Sequence, residues 1–432
     1  MTKPAKRPAA PPAQRILFAH TNFPAQFGAF GEWLAGEGWE VAFITQRKES
    51  ASEAMRVVVC EDHRKPGTET HRYVRPLERA IITGQSFART ALKLSEAGFA
   101  PDVTMAHSGW GAGVYLKDVW PTTVYAPYFE WYYRWPATDR LPDDRLDNPI
   151  EGRAYNRTRN APLWMDFSAG DLCLCPTRFQ AEQFPRYLRD RLTVMHDGID
   201  TDAMAPGDRS RAVLDRWGVP RDAEVLTSIT RGMEPHRGFP EIMRAIAILQ
   251  KRRPRLHAVI GGEDRVAYGA KLPEGDSWKK RMLAELELDL SRVHFTGLLP
   301  RPVMVELMAA SDVHTYLTVP FVLSWSLLDA MSVGCLVVAS DTAPVREFMA
   351  DGRTGLLVPM HDPAALAARI ETALDGGAAL EEVRRRARKT VVDTLDAKRV
   401  IWPRKRTLLE KLIANRRAQI ARIGAAAAAA AD

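Results

Sequence analysis

The sequence predicts an α/β protein of two doubly wound domains in tandem, and three observations predict it. From Arg15 onward, short apolar runs alternate with stretches of helical character, the pattern of a parallel sheet covered by helices. Around Ala203–Arg211 the alternation pauses in a polar stretch with proline and glycine, then restarts at Val225. With 432 residues the chain is long enough for two separate cores. A sheet of this kind binds nucleotides in a cleft at the carboxyl ends of its strands.

The first domain, 15–204, offers strands at Ile16–Ala19, Val41–Ile44, Val57–Val59, Val103–Ala106, Thr123–Ala126, Asp171–Leu174 and Leu192–Met195. Between them Phe27–Gly36, Gly84–Ala97 and Phe179–Leu188 suit helices. The second, 205–395, restarts with Val225–Ile229, a helix at Pro240–Lys251, then Leu256–Ile260 and Val293–Phe295. It ends in the densest segment of the chain, Ser311–Pro359: SDVHTYLTVPFVLSWSLLDAMSVGCLVVASDTAPVREFMADGRTGLLVP. Here strand Val313–Leu317 leads to a short helix, with Ser324 as N-cap and Gly334 as its stop, and to a second strand, Leu336–Ala339. Asp329 falls about one turn into that helix, pointing into the cleft. A basic helix with apolar positions at helical spacing follows over 396–422. Residues 1–14 and the alanine-rich 423–432 read as loose tails.

Composition narrows the class. No apolar run approaches the ~20 residues of a membrane span, and the N-terminus lacks the apolar core of a signal peptide. Cys60, Cys173, Cys175 and Cys335 form no framework, which suits buried thiols and a reducing cytoplasm. The net charge of +7 fits a phosphate-bearing partner. No nucleic-acid-binding signature is present. The phosphate loop of nucleotidases, the G-x-S-x-G elbow and the H-E-x-x-H zinc motif are missing too.

The Ser311–Pro359 segment resembles the donor-binding stretch of family 4 glycosyltransferases, whose fold is GT-B, two Rossmann-like domains facing a central cleft. Asp329-Ala330-Met331, Gly334, Val337–Ser340, Glu347 and Asp351–Val358 keep the family's frame. Phe321 stands where the family has its first glutamate, and Asp329 shortens the second. An apolar ring accepts no hydrogen bond from a sugar hydroxyl. The family's G-R-x-x-x-x-K-G diphosphate motif is matched by Thr230–Phe239 with Arg231 and Arg237, one residue wider and with arginine for lysine. Two guanidinium groups and a helix N-terminus would stabilise a departing diphosphate, although arginines at a strand end also serve as plain surface charge.

The resemblance further implies donor contacts from Asp329, Glu347, Gly262 and the backbone near Leu323 and Ser324, and a sugar-facing role for His107. Helix-terminal charge pairing is the simpler reading of the two carboxylates, and a structural role that of the histidine. The first loop, H-x-N-F-P-x-Q-F, resembles a bacterial branch of the family and offers His20 and Asn22 to an acceptor. Tyr128 and Glu130 open an aromatic run, Tyr128–Trp135, suited to a sugar face or to domain packing.

The expected protein is therefore a retaining glycosyltransferase using a UDP- or GDP-sugar without metal or other cofactor. Its acceptor is a glycan or lipid-linked glycan of cell-surface polysaccharide or lipopolysaccharide. The alternatives are a catalytically lapsed GT-B binding protein and a GT-B sugar-nucleotide epimerase. The basic helix, with Leu408, Leu409, Leu412 and Ile413 among its cations, suggests reversible contact with anionic membrane.

Overall fold

The computed structural model of the protein describes residues 13–142 and 149–429. Two all-parallel sheets organise it. The first has the order β3-β2-β1-β4-β5-β6-β7. Its strands are β1 (Arg15–Ala19), β2 (Glu40–Thr45), β3 (Arg56–Val59), β4 (Val103–His107), β5 (Val124–Tyr128), β6 (Cys173–Cys175) and β7 (Leu192–Val194). The second runs β10-β9-β8-β11-β12-β13. It comprises β8 (Glu224–Gly232), β9 (Leu256–Glu263), β10 (Val293–Gly297), β11 (Val313–Tyr316), β12 (Val337–Ser340) and β13 (Leu356–Val358). Ile16, Leu17, Phe18 and Ala19 are all fully buried, because helices cover both faces of the sheet.

Each sheet reverses its strand order once, between β1 and β4 and between β8 and β11. Loops leaving neighbouring strands at such a point go to opposite faces and open a crevice. The two switch points carry the candidate site.

Several elements differ from their sequence reading. The helix expected at Gly84–Ala97 begins at Arg75, where Pro76 fits the first turn. The one expected at Phe179–Leu188 splits into Arg178–Glu182 and Arg186–Arg189, since Pro185 has no N–H to continue it. Strand β5 extends to Tyr128, and β6 starts two residues late. Most of the tail read over 1–14 lies outside the described residues. At the other end the helix runs on to Ala429, as the high propensity of alanine favours; the last three residues again lie outside.

That last helix, Trp402–Ala429, returns to the amino-terminal domain. The chain crosses beside Ile199, whose N–H donates to Leu395 O at 2.8 Å while Ala397 N–H donates to Ile199 O at 2.9 Å. The Trp402 indole donates to Asp197 O at 2.9 Å. Leu409 and Ile413 are buried and Leu408 and Leu412 half-buried. Arg406 pairs with Glu37, Arg416 with Asp171, and Arg417 with Asp102. The apolar row that the sequence offered to a membrane thus packs on protein, and much of the basic charge is paired. Among the described residues no helix is long and apolar enough to cross a membrane.

Candidate active site

On the amino-terminal side, His20 follows β1 and His107 ends β4, so the switch point sets the rings 4.7 Å apart, edge to face. His20 Nδ1 accepts the Asn22 N–H at 2.8 Å, leaving the ring proton on Nε2. Burial, then the neighbouring His107, holds its pKa well below the ordinary value. His107 is buried, its Nε2 3.4 Å from the Glu130 carboxylate. Its Nδ1 is buried without a partner among the described residues. The Gln26 amide donates to the other Glu130 oxygen at 3.1 Å. Burial works to raise the Glu130 pKa, but His107, Gln26 and the Arg231 charge outweigh it and the net shift is downward.

Arg231 belongs to the other domain. It lies near the carboxyl end of β8, exposed, and its guanidinium makes no hydrogen bond or ion pair with a described residue. Its charge acts on Glu130 across the domain boundary, so the two side chains lie near enough to interact. Gly262 on β9 permits the close packing behind it: φ is +141°, and a Cβ would fall 2.6 Å from Thr230 O.

Arg237 is placed differently from Arg231. It is 5% exposed, and its guanidinium donates to Thr318 Oγ1 at 2.7 Å and Val322 O at 3.0 Å. Gly238, at φ +68°, lets the chain turn against Leu317, where any side chain would collide. Arg237 thus holds the 318–322 loop from beneath. Tyr268 and Phe321 cover it, 5.1 and 5.8 Å from the guanidinium to the ring centres. Above that loop Ser324 caps its helix, accepting the Ser326 N–H at 3.3 Å, and Leu323 is buried.

The comparisons with known proteins divide the chain as its sheets do. Residues 37–204 match the family model described as Glycosyl transferase family 4 group, and residues 224–376 match Glycosyl transferases group 1. The chain is a GT-B protein whose two domains each match a glycosyltransferase family model. A D-inositol 3-phosphate glycosyltransferase of Streptomyces avermitilis is 28% identical over 208 residues, 46% of this chain and 43% of that protein. The chain therefore spans less than half the length of such curated relatives. A sucrose-phosphate synthase from Thermosynechococcus elongatus shares the fold, with a TM-score of 0.68 at 16% identity, covering 94% of this chain and all of that one. Anabaena HepE, in complex with UDP and glucose, gives 0.67 at 15%, covering 92% and 99%.

Within this GT-B glycosyltransferase fold, three residues sit apart from their expected contacts. Tyr128 is buried, and its hydroxyl donates to Asp197 at 2.9 Å, so it backs the site instead of facing an acceptor. Glu347 reaches across the cleft, where its two oxygens accept the backbone N–H groups of Arg178 and Phe179 at 2.8 and 2.9 Å. Asp329 is 8% exposed, and burial pushes its pKa up to about 6 against the pull of Arg301. Asn22 is exposed at the rim.

Sequence reasoning passed over Glu234. It is fully buried and accepts the backbone N–H groups of Ala267 and Tyr268, fixing the loop that covers Arg237. A carboxylate three residues before Arg237 in a glycine-bounded loop was the available signal.

Proposed function

We propose that this glycosyltransferase moves a sugar from a UDP- or GDP-sugar to a glycan or lipid-linked acceptor, with retention at the anomeric carbon and without metal. One observation carries the reading: Arg231, a guanidinium without a protein partner among the described residues, lies near enough to act on Glu130, whose carboxylate is 3.4 Å from His107 Nε2. The departing diphosphate develops negative charge, which Arg231 and the backbone amides of Val322 and Leu323 would stabilise, the Ser324 N–H being given to Tyr316 Oη at 2.9 Å. Arg237 supports them by fixing the loop that carries those amides. Asp329 is the candidate for the donor's ribose hydroxyls, with Gly262 keeping the backbone close.

In the acceptor half, Glu130 and His20 offer hydrogen-bond partners to an incoming hydroxyl, and His107 borders the transferred sugar. The acceptor hydroxyl attacks from the side the diphosphate leaves, and a phosphate oxygen takes its proton. No separate protein base is then needed. Synthesis of cell-surface polysaccharide or lipopolysaccharide in the cytoplasm is the pathway class this chemistry suits, and the named likeness to inositol-phosphate glycosyltransferases suits a small polar acceptor equally.

Calorimetry with UDP and GDP in the presence of a chelator tests the donor half. Binding in chelator is expected, and affinity that appears only with magnesium or manganese overturns the metal-free reading. Slow donor hydrolysis without acceptor separates a working enzyme from the lapsed binding protein that Phe321 would suit.

A further inference from the structure

We infer that a pocket at the mouth of the cleft holds a phosphate group carried by the acceptor, an inference that rests on the glycosyltransferase reading above. The pocket has a volume of about 220 Å³ and lies between the aromatic run after Glu130 and the carboxy-terminal domain at Gly269 and Ala270. Trp131, adjacent in sequence to Glu130, and His236, adjacent to Arg237, both line it.

Among the described residues Arg134, Arg140 and Arg159 line it with Asp139; Asp139 and Arg140 are each already engaged, and the argument rests on the other two. Neither the Arg134 nor the Arg159 guanidinium makes an ion pair or hydrogen bond with a described residue. Elsewhere arginines commonly have a carboxylate: Arg244 has Glu285, Arg346 has Asp341, and Arg253 has both Glu224 and Asp375.

Arg159 is also held in place. Its guanidinium carbon lies 3.6 Å from the centre of the Tyr133 ring and 5.4 Å from that of Tyr155. Asn160, 1% exposed, clamps the Tyr133 backbone with a pair of hydrogen bonds, accepting from its N–H and donating to its O, both at 3.0 Å. Stacking occupies the face of a guanidinium and leaves its N–H edge to a tetrahedral or planar oxyanion. A fixed fork beside a second unpaired arginine matches a phosphate better than a neutral sugar hydroxyl.

The probe is inorganic pyrophosphate, titrated into full-length protein already saturated with UDP so that the donor's phosphate site is filled. One further binding event is expected, weakened at least tenfold in Arg159→Gln and in Arg134→Gln, with UDP affinity and the thermal unfolding midpoint unchanged. Absence of binding to UDP-saturated wild type, or equal binding in wild type and both variants, overturns the inference. Failure of UDP itself to bind strikes the donor reading instead, so the two are told apart. The same variants are then offered glucose 6-phosphate in solution and phosphatidic acid in vesicles. An arginine-dependent signal with the first places the phosphate on a soluble acceptor and with the second on a lipid; no such signal with either overturns the proposal.

Discussion

Trp131 of the amino-terminal domain and Phe321 of the carboxy-terminal domain meet edge to face across the cleft, with ring centres 4.9 Å apart. Phe321 also touches Tyr268 at 5.2 Å, and both rings cover Arg237. The position where the resembled motif has a sugar-binding carboxylate is therefore a hydrophobic bridge between domains. Edge-to-face pairs contribute about 0.5–1.5 kcal/mol beyond area burial. A double-mutant cycle of Trp131→Ala and Phe321→Ala, read by urea unfolding, should show coupling of that order. Strict additivity would mean that the rings are neighbours without energetic consequence.

The two arginines of the Thr230–Phe239 loop should separate cleanly. Arg231→Ala removes an exposed, unpartnered charge, so stability should hold within about 0.5 kcal/mol. If Arg231 meets the diphosphate, kcat/KM falls by the worth of a charge-assisted contact, about 1.5–3 kcal/mol. Arg237→Ala strips Thr318 and the Val322 carbonyl of their donor and should lower both the melting midpoint and turnover. Wild-type kinetics in Arg231→Ala would put the phosphates elsewhere.

What the sequence made legible is what is local. Apolar runs marked the strands because a parallel sheet is buried on both faces. Ser324 and Gly334 marked one helix because N-caps and left-handed stops have narrow residue preferences, and Gly334 sits at φ +81°. What stayed hidden is long-range pairing. Glu347 finds its partners in the other domain, 169 and 168 positions away, and Tyr128 meets Asp197 69 positions on. Arg237 is tied to a loop 81 to 85 residues later. Spacing motifs cannot report whether a charged side chain faces a ligand or its own fold.

Asp329 gives the protein a pH signature. Its folded pKa is raised to about 6 by burial, above the usual aspartate value near 3.8. Between those values the native state holds a proton that the unfolded chain has released, so this group's contribution to stability falls as pH rises through the window. At pH 7 its ionised form costs on the order of 2–3 kcal/mol, since each tenfold change in proton affinity is worth about 1.4 kcal/mol. Asp329→Asn should therefore stabilise the protein at pH 7 and much less at pH 4.5, as measured by urea unfolding at both. Donor affinity should fall in the same variant if the carboxylate serves the ribose. A stability gain that is equal at both pH values would show that the aspartate is ionised throughout.

Glu347 ties the two domains together beside the site, since Gln180 of the helix it caps donates to Glu130 O at 2.7 Å. The helix Arg178–Glu182 begins with three N–H groups that have no partner within the helix. Thr177 Oγ1 accepts the third, from Gln180, at 3.1 Å, and the Glu347 carboxylate accepts the first two. A cap supplied by the other domain makes the helix N-terminus a docking point for closure, with the partial positive charge of the helix end adding to the bonds. Glu347→Ala should cost about 0.5–2 kcal/mol, the range for loss of an N-cap. It should also widen the small-angle scattering envelope of the unliganded protein, because one of the polar ties between the domains is gone. Glu347→Gln keeps one acceptor oxygen and should lie between the two. An unchanged envelope together with weakened nucleotide binding would instead assign this carboxylate to the donor, and its bonds to Arg178 and Phe179 would then be the resting arrangement that the nucleotide displaces.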